Sequence, residues 1–156
     1  GTIDQSIFST IARANPEQAQ SYFGIADTRI TGYAHPGDSM RDLAQLYKAF
    51  SDETRIKIVV LLHRHGEHCV CDFEGVLGLS QSASSRHLRR LYQAKVTDHR
   101  RQGSWVYYRL RDELEPAQLS LVQIALDNAP SEQAEALERA HAAWMERKRQ
   151  IDTCLS

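Results

Sequence analysis

The chain has 156 residues, of which 42% are hydrophobic and 25% are charged, a balance typical of a soluble globular protein with one domain of ordinary size. No apolar run approaches the roughly 20 residues that a membrane span needs, and no pattern typical of a secretory signal is present. Three cysteines, two of them separated by one residue, do not make a disulfide framework. We therefore expect a cytoplasmic protein with reduced thiols and no membrane partner.

The net charge of -1 hides an asymmetry along the chain. Between Gln81 and Arg111, eight Lys and Arg residues stand against the single acid Asp98, so this segment carries +7 and the remainder carries -8. A solvated surface usually mixes both signs. One sign concentrated in a single segment indicates a polyanionic partner such as double-stranded DNA, because each phosphate contact releases condensed counterions.

Residues 1–39 are predicted to be an N-terminal extension of helix and loop. Apolar residues at helical spacing indicate a short helix from Ile3 to Ala14, and Pro16 can open a second one that runs to Tyr22 or Phe23. Glycines and prolines then mark a loop. The chain begins with Gly rather than Met, so an expression remnant is one interpretation of its first residues.

Two helices of the core come next. Asp38 or Ser39 can cap the first, and Ser51-Asp52-Glu53 is a second N-cap segment, for a helix whose buried stripe ends at Gly66. Three histidines, His63, His65 and His68, cluster just before the cysteines. Surface histidines that interact with the negative end of the helix are one interpretation, and a metal site is the other, since imidazole is a common metal ligand.

The segment from Cys69 to Leu91 has the pattern of a helix-turn-helix. A short extended piece leads into a helix that Asp72 caps and Gly78 ends, and Ser80 caps a second helix after a tight turn. Leucines on one side anchor this second helix to the core. Its other side can bond base edges, through Gln to adenine and Arg to guanine, and the short serines let the backbone approach the major groove. The residues that we expect to contact DNA here are Gln81, Ser82, Ser85, Arg86, His87 and Arg89.

Two β-prone runs that flank Gly103 predict a hairpin after the helix-turn-helix. A basic hairpin in this position is a wing. Arg100 and Arg101 are expected to reach backbone phosphate or the minor groove, which positions the protein without reading sequence. Beyond Pro116 an unusually apolar helix suggests burial against another subunit, and Ser131 caps a last helix. We thus divide the chain into residues 1–39, a DNA-binding and dimerisation domain over 40–127, and a C-terminal helix and tail over 128–156.

Together these segments resemble the ArsR/SmtB family of metal-responsive winged-helix repressors, over roughly Met40 to Leu126. The resemblance implies a mainly α fold with a β-hairpin wing, a winged helix-turn-helix, which pairs as a homodimer and represses an inverted-repeat operator until an inducer binds. It implies no enzyme and no organic cofactor. The motifs that carry it are Ala49-Phe50-Ser51-Asp52-Glu53-Thr54-Arg55, Cys69-Val70-Cys71-Asp72-Phe73, Leu79-Ser80-Gln81-Ser82-Ala83-Ser84-Ser85-Arg86-His87-Leu88 and Gly103-Ser104-Trp105-Val106-Tyr107-Tyr108-Arg109-Leu110.

The arsenic-sensing branch of the family implies that the thiolates of Cys69 and Cys71 bind trivalent arsenic or antimony as arsenite or antimonite. A third thiol often follows in that branch, but Glu74 stands there in this chain. Either Cys154 supplies a third sulfur, from the same subunit or its partner, or two thiolates suffice. The alternatives are that the same fold senses cadmium, lead or zinc, or that the two cysteines are only structural and the protein responds to a non-metal signal. A winged helix that binds proteins rather than DNA is a further alternative.

The spacing of the two thiols also bears on mechanism. In a regular helix, residues two apart point about 200° away from each other, so both thiols cannot hold one ion. In an extended segment they share a face. We therefore expect Cys69 to Cys71 to be extended when an ion is bound.

Overall fold

The computed structural model describes residues 39–154, with side chains to residue 151. The two helices expected before residue 24 lie outside the described residues. The elements, in chain order, are α1 (Met40–Phe50), α2 (Glu53–His65), β1 (His68–Cys69), α3 (Val70–Leu77), α4 (Gln81–Gln93), β2 (Thr97–Gln102), β3 (Trp105–Leu110), α5 (Pro116–Asn128) and α6 (Ser131–Cys154).

The helix starts follow from short polar side chains. Ser39 Oγ accepts from the backbone N–H of Asp42 at 3.2 Å, and the Asp42 carboxylate accepts from the Ser39 N–H at 3.3 Å, which makes a capping box for α1. Asp52 Oδ1 accepts from the Arg55 N–H at 3.0 Å at the start of α2. Gly66, with φ of +74°, ends α2 in a conformation that other residues rarely adopt. The predictions at Ser39, Asp52 and Gly66 are confirmed.

One hydrophobic core joins the helices. Its completely buried members include Ile58 and Val59 of α2 together with Leu88 and Leu91 of α4. The two leucines fix α4 to the core, as predicted, and leave its polar side outward. Phe73 of α3 is also buried, with 1% of its surface exposed, and α3 packs against α4 in the helix-turn-helix arrangement.

A three-stranded antiparallel sheet in the order β1-β3-β2 flanks the helices. Strands β2 and β3 form the predicted hairpin, from Thr97 opposite Leu110 to Gln102 opposite Trp105, with Gly103 at φ of +60° in the turn. The two-residue strand β1 pairs His68 with Tyr108 and Cys69 with Tyr107. Helices α1 to α5 with this hairpin constitute a winged helix-turn-helix fold. No helix within residues 39–154 is long and apolar enough to cross a membrane.

Helix α3 begins three residues earlier than the sequence predicts. Its N-cap is Cys69, with φ of -75° and ψ of 161°, and Asp72 is the third residue after the cap rather than the cap itself. The Asp72 carboxylate turns back and accepts from the Cys69 N–H at 2.9 Å. The prediction that Asp72 caps α3 is therefore wrong in position, although the carboxylate does satisfy a backbone donor of the first turn.

Candidate thiol site and nucleic-acid interface

The first candidate site is formed by the two closely spaced cysteines. Cys69 is 1% exposed and Cys71 is half-buried, and a disulfide joins them. Their Cα atoms lie 5.3 Å apart. The sulfurs and a carboxylate oxygen of Asp72 all lie within 4.8 Å of one another, which makes them a group able to hold a cation. The two thiols singled out from the sequence are therefore brought together.

The backbone between the thiols differs from the extended segment that we expected. Cys69 is extended, but Cys71 already belongs to the first turn of α3. The argument from helical geometry applies only when both residues are helical. Because Cys69 is the non-helical N-cap, its side chain can turn toward the first turn of the helix. In this disulfide-linked form, the junction between β1 and α3 is enough to make the sulfurs converge.

Asp72 is the polar centre of this site. It is 3% exposed, and besides the Cys69 N–H it accepts hydrogen bonds from Trp144 Nε1 at 2.9 Å and Lys148 Nζ at 2.8 Å. Burial acts to raise the pKa of Asp72, but hydrogen bonds from Lys148, Trp144 and the Cys69 backbone outweigh it and hold this pKa below its usual value. Asp72 is thus an ionised side chain that fixes the first turn of α3.

Helix α6 supplies a cation that sequence reasoning missed. Lys148 Nζ lies 3.8 Å from Cys69 Sγ as well as beside Asp72. The Trp144 ring packs directly on Gly75, so closely that a Cβ there would overlap it. Trp144 and Lys148 are four residues apart and share one face of α6. The spacing is visible in the sequence, but the sequence does not show that this face contacts α3.

The described residues do not identify a third sulfur ligand beside Cys69 and Cys71. Glu74, in the position where the resemblance leads one to look for a thiol, is half-buried on α3. Cys154 belongs to the last turn of α6, and its side chain lies outside the described residues.

The second candidate site is the outer face of α4. Ser80 Oγ accepts from the Ala83 N–H at 3.2 Å and caps the helix, as predicted. His87 is partly buried, with Nδ1 at 3.5 Å from Asp52 Oδ1 and 3.4 Å from Arg55 Nη1. Its ring is therefore held against the start of α2. Of the other expected DNA contacts, Ser85 is half-buried. The remaining ones are exposed: Gln81, Ser82, Arg86 and Arg89.

The two wing arginines differ from each other. Arg101 is exposed near the hairpin turn. Arg100 donates from Nε to both carboxylate oxygens of Glu67 at 2.9 Å, and its guanidinium lies 4.6 Å from the centre of the Tyr107 ring. The hydrogen bonds that Arg100 donates to Glu67 raise the pKa of Arg100. Glu67, which the sequence did not single out, partly neutralises Arg100.

Helix α4 with its polar outer face, the basic hairpin and the element order define a protein of the winged helix-turn-helix class. Residues 52–95 match the family described as bacterial regulatory protein, arsR family. The chain belongs to this family.

Three curated relatives show how similarity is distributed. The arsenic resistance transcriptional regulator ArsR1 of Pseudomonas putida is 43% identical over 84 residues, which cover 52% of this chain and 66% of that protein. The regulator ArsR2 of the same organism is 42% identical over 81 residues, which cover 52% of this chain and 70% of that protein. The cadmium resistance transcriptional regulatory protein CadC homolog of Staphylococcus aureus is 43% identical over 72 residues, which cover 46% of this chain and 60% of that protein. The chain thus spans just under two thirds of the length of the first relatives that it matches. Solved structures resemble it at TM-scores of 0.44 to 0.49.

Proposed function

We propose that this protein is a transcriptional repressor that binds an inverted-repeat operator as a homodimer and is released when trivalent arsenic or antimony binds to Cys69 and Cys71. The observation that carries the proposal is the position of the two sulfurs at the N-terminus of α3. Helix α3 packs directly against the recognition helix α4. An ion held there alters the element on which the DNA-reading helix rests.

The donor set fits a soft ion. Thiolates select soft metals and metalloids over hard cations. The disulfide must first accept two electrons and two protons from a cellular dithiol reductant to give two thiols. Arsenous acid then forms two As–S bonds with loss of two water molecules and keeps one hydroxyl. Cys154 is the alternative third donor, from the same or the other subunit.

Asp72 is better suited to orient the thiols than to bind the ion. Its carboxylate oxygens already accept from Lys148, Trp144 and the Cys69 N–H. Direct ligation would break hydrogen bonds at a nearly fully buried group, which is costly. We therefore assign Asp72 the role of holding Cys69 in the extended conformation.

The DNA contacts divide into reading and positioning. Gln81, Ser82 and Arg86 on the exposed face of α4 suit base edges in the major groove, with Ser85 and Arg89 beside them. Arg101 on the wing suits a phosphate. His87 and Arg100, which already have partners in Asp52 and Glu67, serve mainly to orient the helix and the wing.

Exposed apolar side chains on two helices support pairing of two copies. Met40, Leu43 and Tyr47 of α1 are 85%, 38% and 58% exposed, and Leu119 and Ile124 of α5 are each 54% exposed. Such a patch is typical of an interface. A symmetric dimer through α1 and α5 would set two recognition helices about 34 Å apart, one turn of B-DNA.

The test is operator release measured by fluorescence anisotropy. The full chain, reduced with a phosphine rather than a thiol, is bound to a labelled duplex that carries an inverted repeat from its own promoter. Arsenite, antimonite, cadmium and zinc are then titrated separately. We expect release by arsenite or antimonite in the wild type, and none in the Cys69→Ser and Cys71→Ser variants, which still bind the duplex.

Cys154→Ser tests the alternative third donor. Release at the same arsenite concentration as in the wild type would show that Cys69 and Cys71 suffice, and weaker release would assign Cys154 as a ligand. Release that survives in Cys69→Ser and Cys71→Ser would overturn the assignment of the inducer site. The cadmium titration addresses the second candidate, a cadmium-responsive repressor, which the similarity to the cadmium resistance relative favours. Release by cadmium alone would select it.

A further inference from the structure

A second cluster of metal-ligating side chains lies outside the thiol site, where the end of α2, strand β1 and helix α6 meet. It consists of His65, His68, Glu138 and His141. His68 and His141 are buried, at 4% and 9% exposure. The sequence grouped His68 with His63 and His65, whereas the structure brings it to His141, 73 residues further along the chain.

The hydrogen bonds of His68 determine which of its ring nitrogens has a free lone pair. Nδ1 lies 2.9 Å from the carbonyl oxygen of Gly66, and a carbonyl can only accept, so Nδ1 carries the hydrogen. In the neutral ring Nε2 is then unprotonated. It accepts a hydrogen bond from His141 Nε2, 2.8 Å away, so the hydrogen on His141 Nε2 must move to His141 Nδ1 before that nitrogen can bind an ion. A backbone carbonyl that orients the far nitrogen of an imidazole is the usual surrounding of a metal-ligating histidine.

Two further donors border the pair on its solvent side. The His65 ring stacks on His141 with 3.8 Å between centroids, and its Nε2 lies 2.8 Å from Glu138 Oε2. Glu138 precedes His141 by three residues, so both lie on one face of α6. The side chains of His65 and Glu138 are 28% and 34% exposed, which leaves an approach from solvent.

We propose that His68 and His141 bind a borderline divalent transition-metal ion of the Zn²⁺ class through their Nε2 atoms. Zn–N bonds of about 2.0–2.1 Å at a tetrahedral angle separate two ligand nitrogens by about 3.3 Å. The pair therefore opens by about 0.5 Å to admit the ion. Rotation of His65 or Glu138 supplies a third donor, and water completes the site. The bound ion joins α6 to β1 independently of the thiols.

Cobalt(II) titration of a cysteine-free chain tests this site. The variant Cys69→Ser/Cys71→Ser/Cys154→Ser removes all three cysteines, so any cobalt bound has nitrogen and oxygen ligands. We expect one Co²⁺ per chain, with ligand-field bands and without a thiolate-to-cobalt charge-transfer band. In this background, His68→Gln and His141→Gln each weaken binding by about tenfold or more.

His63→Gln is the matched control, because His63 is an exposed histidine of the same helix as His65. It should change cobalt affinity by less than about twofold. Circular dichroism verifies that the glutamine variants are folded. NMR gives a second measurement. In the cysteine-free chain with all its histidines, bound cobalt should broaden the ring signals of His68 and His141.

Absence of cobalt binding by the cysteine-free chain, or equal affinity in His63→Gln, His68→Gln and His141→Gln, would overturn the proposal. So would ring signals of His68 and His141 that stay sharp at saturating cobalt. Because the cysteines are absent throughout, these outcomes do not depend on whether arsenic releases the operator.

Discussion

Lys148 is the residue that most changes the chemistry of the thiol pair. Its ammonium group lies 3.8 Å from Cys69 Sγ and 2.8 Å from Asp72 Oδ1. A cation beside a reduced cysteine favours the thiolate, which is the form that binds metals and attacks electrophiles. The partly buried position of this lysine, at 31% side-chain exposure, limits screening by solvent. A C-terminal helix thereby contributes to a site built mainly from β1 and α3.

We expect Lys148→Gln to make the reduced cysteines react more slowly with iodoacetamide near pH 7, by about three- to tenfold, because the stabilising charge is lost. Arsenite affinity should fall in parallel. The measurement is the alkylation rate followed by mass spectrometry. Arg139→Gln is the control, since Arg139 is an exposed cation of the same helix. Equal rates in Lys148→Gln and the wild type would show that the lysine is only structural.

The wing arginines give a second prediction at this scale. Arg101→Ala should lower the slope of log affinity against log salt by about 0.9, as expected for one lost phosphate contact. Arg100→Ala should change the slope less, because Glu67 already neutralises it. Glu67→Gln should steepen the slope. Anisotropy at several salt concentrations measures all three, and an equal effect of Arg100→Ala and Arg101→Ala would contradict the distinction.

At the scale of elements, local signals predicted most of the fold. Ser39, Asp52 and Ser80 cap helices as expected, Gly66 and Gly78 end them, and the hairpin forms around Gly103. Each of these caps and turns depends on residues close together in the chain, so each can be predicted from the sequence alone.

Long-range pairings were out of reach of the same reasoning. Strand β1 is two residues long and exists because β3 lies beside it. The contacts of Asp72 with Lys148 and of His68 with His141 join residues more than 70 apart. No periodicity in the sequence specifies such partners, and the half of the candidate site that comes from α6 was therefore missed.

The docking of α6 on α3 leads to a prediction about Gly75. A Cβ at this position overlaps the Trp144 ring, so Gly75→Ala should destabilise the protein by about 1–3 kcal/mol through overpacking. In a Trp144→Ala background the same substitution should cost much less, since the obstacle is gone. Thermal or urea denaturation of the four proteins measures this coupling. Additive effects would mean that α6 does not pack on α3 in solution.

At the scale of the whole molecule, the proposed dimer would form through the apolar faces of α1 and α5. Tyr47→Glu and Leu119→Glu place a charge on side chains that are 58% and 54% exposed in the single chain. Because a charge buried in an interface without a partner is costly, we expect both variants to be monomers in sedimentation velocity and to lose most operator affinity.

Met145→Glu provides the comparison for these two variants. Met145 is also an exposed apolar residue, at 39%, but it lies on α6. The Met145→Glu variant should have the same oligomeric state as the wild type. If Tyr47→Glu and Leu119→Glu sediment like the wild type, the dimer uses another surface.

The small strand β1 has a consequence for how a signal would reach DNA. Cys69 pairs with Tyr107 in the wing and is also the N-cap of α3, which supports the reading helix. A shift of Cys69 would therefore be passed both to the wing and, through α3, to α4. The wing and helix α4 would then leave the duplex together. Release would need only a small displacement of Cys69 rather than several separate rearrangements.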